Sequence, residues 1–246
     1  MSTKVLLRLI SLTVLLSVSA FAVDGVVLIN QATVMAAGGF PYKISQPGSY
    51  KLSGNLSVPA GMDGIDINSD NVTLDLNGFS IVGPGVCDGD ATNRTTACTG
   101  EIAGTGVVSH NNEVTIRSGS VRGMLQGILV QGEGNLVEEV HASKNVVAGI
   151  VANSGVVRRC TANNNGDDGI ISQGAIVTEN SLNGNGSQGI NATSSSVINN
   201  VMTDNPIGLL LQLTVFGSNA FFSNSIDVVN AGGVSQNNNV CSGHGC

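Results

Sequence analysis

A glycine followed by an aliphatic residue recurs through the second half of the chain at a nearly constant spacing. Successive glycines of this pattern are separated by 21, 22, 20, 20 and 19 residues. The pairs are Gly106-Val107, Gly127-Ile128, Gly149-Ile150, Gly169-Ile170, Gly189-Ile190 and Gly208-Leu209. A period of this length, with no helical pattern inside it, predicts a solenoid in which each repeat makes one turn.

Alignment of the repeats predicts which side chains face the interior. One column reads Val137, Val157, Val177, Val197 and Phe216, and a second reads Ala142, Ala162, Leu182, Met202 and Phe221. Both columns are apolar throughout, and the alternation of apolar and polar residues from Asn71 to Leu76 is typical of a strand. Between the two columns lie Val140, Cys160, Asn180, Asn200 and Asn219. We therefore expect Cys160 to be a buried, unreactive thiol.

Asparagine occupies another column in five successive repeats: Asn145, Asn165, Asn185, Asn205 and Asn224. Equivalent positions in neighbouring coils lie about 4.8 Å apart, so identical amides can stack and hydrogen-bond to each other and to the turn backbone. The column predicts an asparagine ladder along one corner of the solenoid.

These repeats, the ladder and the segment from Asp70 to Gly78 (DNVTLDLNG) resemble the right-handed parallel β-helix proteins of the pectate-lyase-like superfamily, in particular secreted bacterial β-helix repeat proteins. The resemblance extends from about Gln46 to the C-terminus. It implies an all-β, single-domain, right-handed parallel β-helix with coils of about 20 residues, an N-terminal cap and a C-terminal cysteine loop. The matching residues are structural, so the resemblance implies a fold rather than a reaction.

The N-terminal residues carry the features of a secretory signal peptide over residues 1–22. Lys4 and Arg8 give a short cationic start, an apolar run follows from Leu9 to Val18, and Ala20-Phe21-Ala22 provides a cleavage signal. A retained anchor helix is the alternative for these residues. No later segment is long and apolar enough to span a membrane. We expect a secreted or periplasmic protein with a cap over residues 23–45 and a β-helix over residues 46–246, interrupted by a loop insertion at about 82–104.

Five cysteines fit an oxidising compartment. Cys87 and Cys98 bracket a polar stretch, and Cys241 and Cys246 bracket the C-terminal tail. Each pair is close enough in sequence to close a small loop. For the tail, a zinc site that includes His244 is the alternative.

Gly166-Asp167-Asp168-Gly169 is one candidate catalytic motif. Paired aspartates can act as acid and base in glycoside hydrolysis. The motif is similar to the Gly-Asp-Asp element of polygalacturonases, but the histidine and Arg-x-Lys elements that follow it in that family are missing from the next coils. The alternative interpretation places Asp167 and Asp168 in a solvated turn.

A charged patch is the second candidate. In register, Glu139, Arg159 and Glu179 form an outward column, in which opposite charges one coil apart would pair. Glu138, His141, Lys144 and Arg158 flank it. A carboxylate beside Arg159 and His141 could abstract a sugar C5 proton, as polysaccharide lyases and uronate epimerases do. The alternative is a salt-bridged exposed surface without catalytic function.

Composition narrows the choice of partner. The formal net charge of −7 opposes binding to nucleic acid. It also makes polyuronates poor ligands unless Ca²⁺ bridges the two. Asp63, Asp66, Asp70 and Asp75 could hold Ca²⁺ through their oxygens, and the alternative is that they are ordinary outward polar residues. There is no Trp, and aromatic residues make up 3% of the chain, so platforms for sugar rings are scarce. The favoured prediction is a non-catalytic structural or glycan-contacting module that meets an extracellular polysaccharide. The alternatives are a polysaccharide lyase, hydrolase or epimerase, and a partner-binding accessory protein.

Overall fold

The computed structural model describes residues 25–90, 95–102 and 104–242. The chain winds into coils, and equivalent strands of successive coils pair in parallel. A nine-stranded sheet forms one side of the coil, here called face 1. A seventeen-stranded sheet bends at a corner and supplies the other two sides, faces 2 and 3. The fold is the predicted single-domain parallel β-helix.

The strands of each face follow the repeat. Face 1 contains β2 (Tyr42–Ile44), β5 (Ile65–Ile67), β10 (Thr105–Ser109), β12 (Gln126–Gln131), β14 (Ala148–Asn153), β17 (Asp168–Gln173), β20 (Gln188–Thr193), β23 (Ile207–Gln212) and β26 (Ile226–Ala231). Face 2 contains β1 (Val26–Ile29), β3 (Gly48–Leu52), β6 (Val72–Asp75), β15 (Val156–Arg158), β18 (Ile176–Thr178), β21 (Ser196–Ile198), β24 (Val215–Gly217) and β27 (Val234–Ser235). Face 3 contains β4 (Leu56–Ser57), β7 (Ser80–Val82), β16 (Thr161–Asn163), β19 (Ser181–Asn183), β22 (Val201–Thr203), β25 (Ala220–Phe222) and β28 (Val240–Cys241). Strands β11 (Thr115–Arg122) and β13 (Leu136–Ser143) run through the corner and belong to faces 2 and 3.

The core lies inside the coils, where the two predicted apolar columns meet. Val137, Val157, Val177, Val197 and Phe216 are paired in register on face 2, and all are at most 1% exposed. Ala142, Ala162, Leu182, Met202 and Phe221 do the same on face 3 and are 0% exposed. Both columns are confirmed. Burial of aliphatic side chains in every coil is the main force that holds such a solenoid together.

The predicted asparagine ladder is confirmed at the corner between faces 3 and 1. From Asn165 to Asn224, each amide oxygen accepts the main-chain N–H and the side-chain N–H of the asparagine in the preceding coil, at 2.9–3.2 Å. A second ladder, at the corner between faces 2 and 3, joins Asn180, Asn200, Asn219 and Asn239 in the same manner. These bonds provide partners for the buried main-chain and side-chain polar groups of the turns. No buried side-chain nitrogen or oxygen in the described part of the chain lacks a partner.

A short helix, α1 (Gln31–Ala36), covers the N-terminal end of face 3. Asn30 and Thr33 form a capping box, each side chain bonding the other residue's main-chain N–H. Gln31 exchanges hydrogen bonds with the main chain of Ser57 in β4, and Val34 is buried in the core. The helix therefore takes the place that a further strand of face 3 would occupy. No helix in the described ranges is long and apolar enough to cross a membrane.

Between β7 and β10 the chain leaves the solenoid as an antiparallel hairpin of β8 (Val86–Asp90) and β9 (Thr95–Thr99). The predicted disulfide between Cys87 and Cys98 joins its two strands. The hairpin lies along the corner that carries the first asparagine ladder, and the Thr96 hydroxyl donates to the Gly184 carbonyl at 2.7 Å. A Cβ on Gly166 would lie 2.7 Å from Cys98 Sγ, so the missing side chain allows the hairpin to approach.

Candidate functional site

The charged patch lies at the corner between faces 2 and 3. Glu139, Arg159 and Glu179 each turn the chain there with a positive φ of 55°, 51° and 59°, and all three are exposed, as predicted. Arg159 bonds the Glu139 carboxylate at 3.2 Å. The structure places no ion pair between Arg159 and Glu179, although both are described residues.

Glu138 is the centre of the ion pairs. Its Oε2 accepts from Arg158 at 2.8 Å and from Arg159 at 2.7 Å, and its side chain is only 13% exposed. The pairing continues toward the N-terminus in a column of alternating charge on face 2. Lys51, Asp75, Arg117, Glu138 and Arg158 occupy equivalent positions in five successive coils. Such a column neutralises charges that would otherwise repel along a strand surface.

His141 is exposed on face 3, next to this corner. One ring nitrogen, Nδ1, lies 2.6 Å from Thr161 Oγ1 in the next coil. Glu139, His141, Ser118, Ser120 and two glycines line an open depression of about 410 Å³. Lys144, which we grouped with this patch, lies at another corner, where it pairs with Asp88 of the hairpin at 3.8 Å.

The two aspartates of the Gly-Asp-Asp-Gly motif have different surroundings. Asp167 is exposed at the corner before face 1, whereas Asp168 begins β17 and is 5% exposed. The expectation of a solvated turn is therefore wrong for Asp168. Its carboxylate accepts from the Gln188 N–H at 3.0 Å and from the Asn191 amide at 3.2 Å. Burial raises the pKa of Asp168. The motif lies at a different corner from Glu139, His141 and Arg159.

The four aspartates proposed as calcium ligands are each bonded to other groups. Asp63 accepts the Thr105 N–H at 2.6 Å, and Asp70 accepts the Asn112 N–H at 2.8 Å. Asp66 accepts from the Asn68 side chain on face 1, and Asp75 pairs with Arg117 on face 2. Within the described residues, no group of three or more His, Cys, Asp or Glu side chains is placed to hold a metal ion.

The remaining cysteine predictions divide in two. Cys160 is 1% exposed, and burial raises the pKa of its thiol to about 12, so its predicted burial is confirmed. The Cys241–Cys246 pairing, the zinc alternative at His244 and the signal peptide over residues 1–22 all involve residues outside the described ranges.

Face 1 carries a surface that sequence reasoning missed. Its outward positions form a polar column of Gln131, Asn153, Gln173, Thr193 and Gln212, paired in register. Beside it runs an aliphatic column of Leu129, Val151, Ile171, Leu210 and Val229, interrupted by Asn191. From β12 to β26 the strands of face 1 hold only two charged residues, Asp168 and Asp227, at 5% and 0% exposure. Face 1 therefore presents a long, flat and uncharged surface in these coils.

A signal for the polar column was present in the sequence. Each member of the column lies four residues after the glycine of the Gly-aliphatic pair. The first and third residues after this glycine are aliphatic, alanine or serine and face inward. Strand alternation therefore places the fourth residue outward.

Comparison with solved structures agrees with this architecture. An alginate lyase from Paenibacillus sp. str. FPU-7 matches with a TM-score of 0.51 at 10% identity, over 89% of this chain and 96% of its own. The Dettilon tailspike protein matches with a TM-score of 0.50 at 14% identity, over 88% of this chain and 63% of its own. Pectate lyase Pel9A matches with a TM-score of 0.48 at 14% identity, over 77% of this chain and 64% of its own.

The chain thus spans less than two thirds of the tailspike and pectate lyase chains. No protein-family model and no curated protein matches it. At these identities the likeness to the alginate lyase and the tailspike shows the fold alone, a parallel β-helix, and leaves the chemistry to be argued from the residues of this chain.

Proposed function

We propose that this protein is a secreted or periplasmic, non-catalytic β-helix that contacts an uncharged extended glycan along face 1. The observation that carries the proposal is the pair of outward columns on face 1, from Leu129 and Gln131 to Leu210 and Gln212, with no exposed charge between them. Amide and hydroxyl side chains can donate to and accept from sugar hydroxyls. Aliphatic side chains can pack against the apolar C–H groups of a pyranose ring.

Geometry supports an extended ligand. The coils place an amide or hydroxyl side chain about every 4.8 Å along the solenoid, close to the length of one sugar residue in an extended chain. A weak contact repeated in five coils gives a multivalent surface, whose strength comes from the number of sites engaged together.

Charge supports a neutral ligand. The chain carries a net charge of −7, and face 1 offers a uronate no exposed cation from β12 to β26. Calcium as a bridge to an acidic glycan stays a prediction, which a calcium arm in the binding assay tests. The Cys87–Cys98 disulfide favours an oxidising compartment, and hence secretion.

The candidate catalytic groups of the charged patch are bonded to neighbouring coils. Glu139 bonds Arg159, and His141 contacts Thr161. Each pair resembles the contacts that stabilise an exposed strand surface, and the depression beside them has no aromatic wall. These contacts favour a structural role for this corner.

A polysaccharide hydrolase is the second candidate, because one observation favours it. Asp168 is a carboxyl group whose pKa is raised by burial, next to the exposed Asp167, and such a pair can divide the roles of acid and base. Lyase or epimerase chemistry at Glu139, His141 and Arg159 is the corresponding proposal for the other corner.

The test is affinity electrophoresis of the oxidised protein in gels that contain neutral or acidic polysaccharides, with and without Ca²⁺, run beside a reducing-end assay. We expect retardation by a neutral glycan and no release of reducing ends. Gln173→Ala on face 1 should weaken binding several-fold, whereas Glu139→Ala, at the exposed corner between faces 2 and 3, should leave it unchanged. Chain cleavage that is lost in Asp168→Asn would overturn the proposal in favour of the hydrolase.

A further inference from the structure

Arg122 is an exposed cation at the end of β11 on face 3, without an acidic partner. The chain has more acidic than basic residues, and most of its described cations form ion pairs with Asp or Glu: Lys51, Arg117, Lys144, Arg158 and Arg159. The Arg122 guanidinium forms no ion pair or hydrogen bond with any described residue. Its charge is therefore available to a ligand.

The strands of face 3 offer no carboxylate that could neutralise Arg122. In the described ranges, no Asp or Glu occurs in β4, β7, β11, β16, β19, β22, β25 and β28, or in residues 140–143 of β13. In register with Arg122 lie Val82 in one neighbouring coil and Ser143 in the other. The next outward residue of β11 is Ser120, whose hydroxyl bonds Ser80. A cation on a strand surface without acidic residues attracts anions.

A small cavity of about 150 Å³ joins Arg122 to a second cation, Lys144. It lies at the corner between faces 3 and 1, at the base of the hairpin. Lys144 follows Ser143, the partner of Arg122 in the next coil, so the two cations approach from coils about 4.8 Å apart. The Lys144 ammonium also meets Asp88 at 3.8 Å. Because the Asp88 side chain is 83% exposed, this ion pair contributes little and can yield to a ligand.

The rest of the cavity wall supplies shape rather than charge. It consists of glycine main chain and apolar side chains: Gly83, Gly85, Gly123, Val82 and Val86. The three glycine N–H groups already donate to main-chain carbonyl groups at 2.9–3.1 Å, so the donors left for a ligand are Arg122 and Lys144. The hairpin extends away from this wall, since Thr96 bonds the Gly184 carbonyl, two coils after Lys144.

We propose that Arg122 and Lys144 bind a tetrahedral oxyanion, a phosphate or sulfate group, at the base of the hairpin. The guanidinium fork can donate to two oxygens of one anion, and the ammonium adds a third donor from the neighbouring coil. A planar carboxylate has two oxygens, which the arginine fork alone would occupy, so a third donor favours an anion with more oxygens. A free anion and a phosphate or sulfate ester of a sugar present the same oxygens. The site is separate from the columns of face 1.

Titration calorimetry of the full oxidised chain with inorganic phosphate and with sulfate, at low ionic strength, tests the site. We expect one anion per chain. Arg122→Gln should weaken binding about tenfold or more, because it removes a charged fork that bonds no other described residue. Arg117→Gln, on the same strand but on face 2, is the control and should leave binding unchanged. Asp88→Asn should strengthen binding, since it frees Lys144.

Three outcomes would overturn the proposal: no heat of binding with either anion at millimolar concentration, equal effects of Arg122→Gln and Arg117→Gln, or weaker binding in Asp88→Asn. Glucose 6-phosphate and glucuronate separate the possible ligands. Binding of the sugar phosphate as tight as that of phosphate assigns the site to a phosphorylated glycan, and weaker binding assigns it to the free anion. Glucuronate binding as tight as phosphate would refute the tetrahedral assignment. Gln173→Ala on face 1 should not affect any of these titrations.

Discussion

Replacement of one ladder asparagine tests how the coils are held in register. Asn185 is 0% exposed. Its amide nitrogen donates to Asn205 Oδ1 at 3.0 Å and to the Ala162 carbonyl at 2.9 Å. Its Oδ1 accepts the Asn165 main-chain N–H at 3.1 Å and side-chain N–H at 2.9 Å. Asn185→Ala removes all four bonds.

The cost follows from which groups lose their partner. Asn165 keeps the bond from its amide to the Ala142 carbonyl, and Asn205 Oδ1 keeps the Asn185 main-chain N–H. The Asn165 main-chain N–H loses its acceptor inside the protein. With about 1–3 kcal/mol for that orphaned donor and about 0.5–1.5 kcal/mol for each of the three other bonds, we expect a loss of about 2.5–7.5 kcal/mol in the free energy of unfolding.

Urea unfolding followed by circular dichroism measures this loss, with the m values compared to verify that the same surface unfolds. Asn183→Ala is the control, since Asn183 lies in the same coil but is partly exposed and outward. We expect the control to change stability by no more than about 0.5 kcal/mol. A loss below about 1 kcal/mol for Asn185→Ala, or equal losses in the two variants, would refute the reasoning.

Three further predictions concern buried groups and close approaches. The thiol of Cys160, with its pKa raised to about 12, should not react with a thiol reagent at pH 8 in the folded protein, and rapid labelling would contradict its burial. Gly166→Ala should push the hairpin from its corner and speed reduction of Cys98 by dithiothreitol, because the new methyl group would lie 2.7 Å from Cys98 Sγ; an unchanged rate would contradict this packing. Burial raises the pKa of Asp168 above its ordinary 3.8, so its contribution to stability is full below that value and is lost as pH rises through the folded-state pKa. Asp168→Asn should therefore flatten the pH dependence of the unfolding free energy above about pH 4, and an unchanged slope would contradict the shift.

The sequence alone could predict the coil and its interior, because the repeat imposes one constraint many times. Val137 and its equivalents must lie on the same side of every coil. Asn145 begins a column of five asparagines in register, a pattern that is typical of a hydrogen-bonded ladder. The second ladder was visible only in part. Its last member, Asn239, lies beyond the regular Gly-aliphatic repeats, so nothing in the period marked it.

The charge column, the docking of the hairpin and the burial of Asp168 depend on contacts that the repeat period does not predict. The alternating charges of face 2 begin at Lys51 and Asp75, before the hairpin interrupts the register. The hairpin itself docks where Gly166 and Gly186 lack side chains, and a glycine in a glycine-rich chain gives little warning of such a contact. Asp168 was expected in a solvated turn, and it is buried because Gln188 and Asn191 of the next coil bond its carboxylate.

Radical footprinting of the protein with and without the glycan that retards it would test the face 1 proposal most directly. The method reads the exposure of individual aliphatic side chains by mass spectrometry. We expect protection of Leu129, Ile171 and Leu210 on face 1, and no change at Ile176 on face 2. Protection of His141 with face 1 unchanged would contradict the account and move the binding surface to the charged corner.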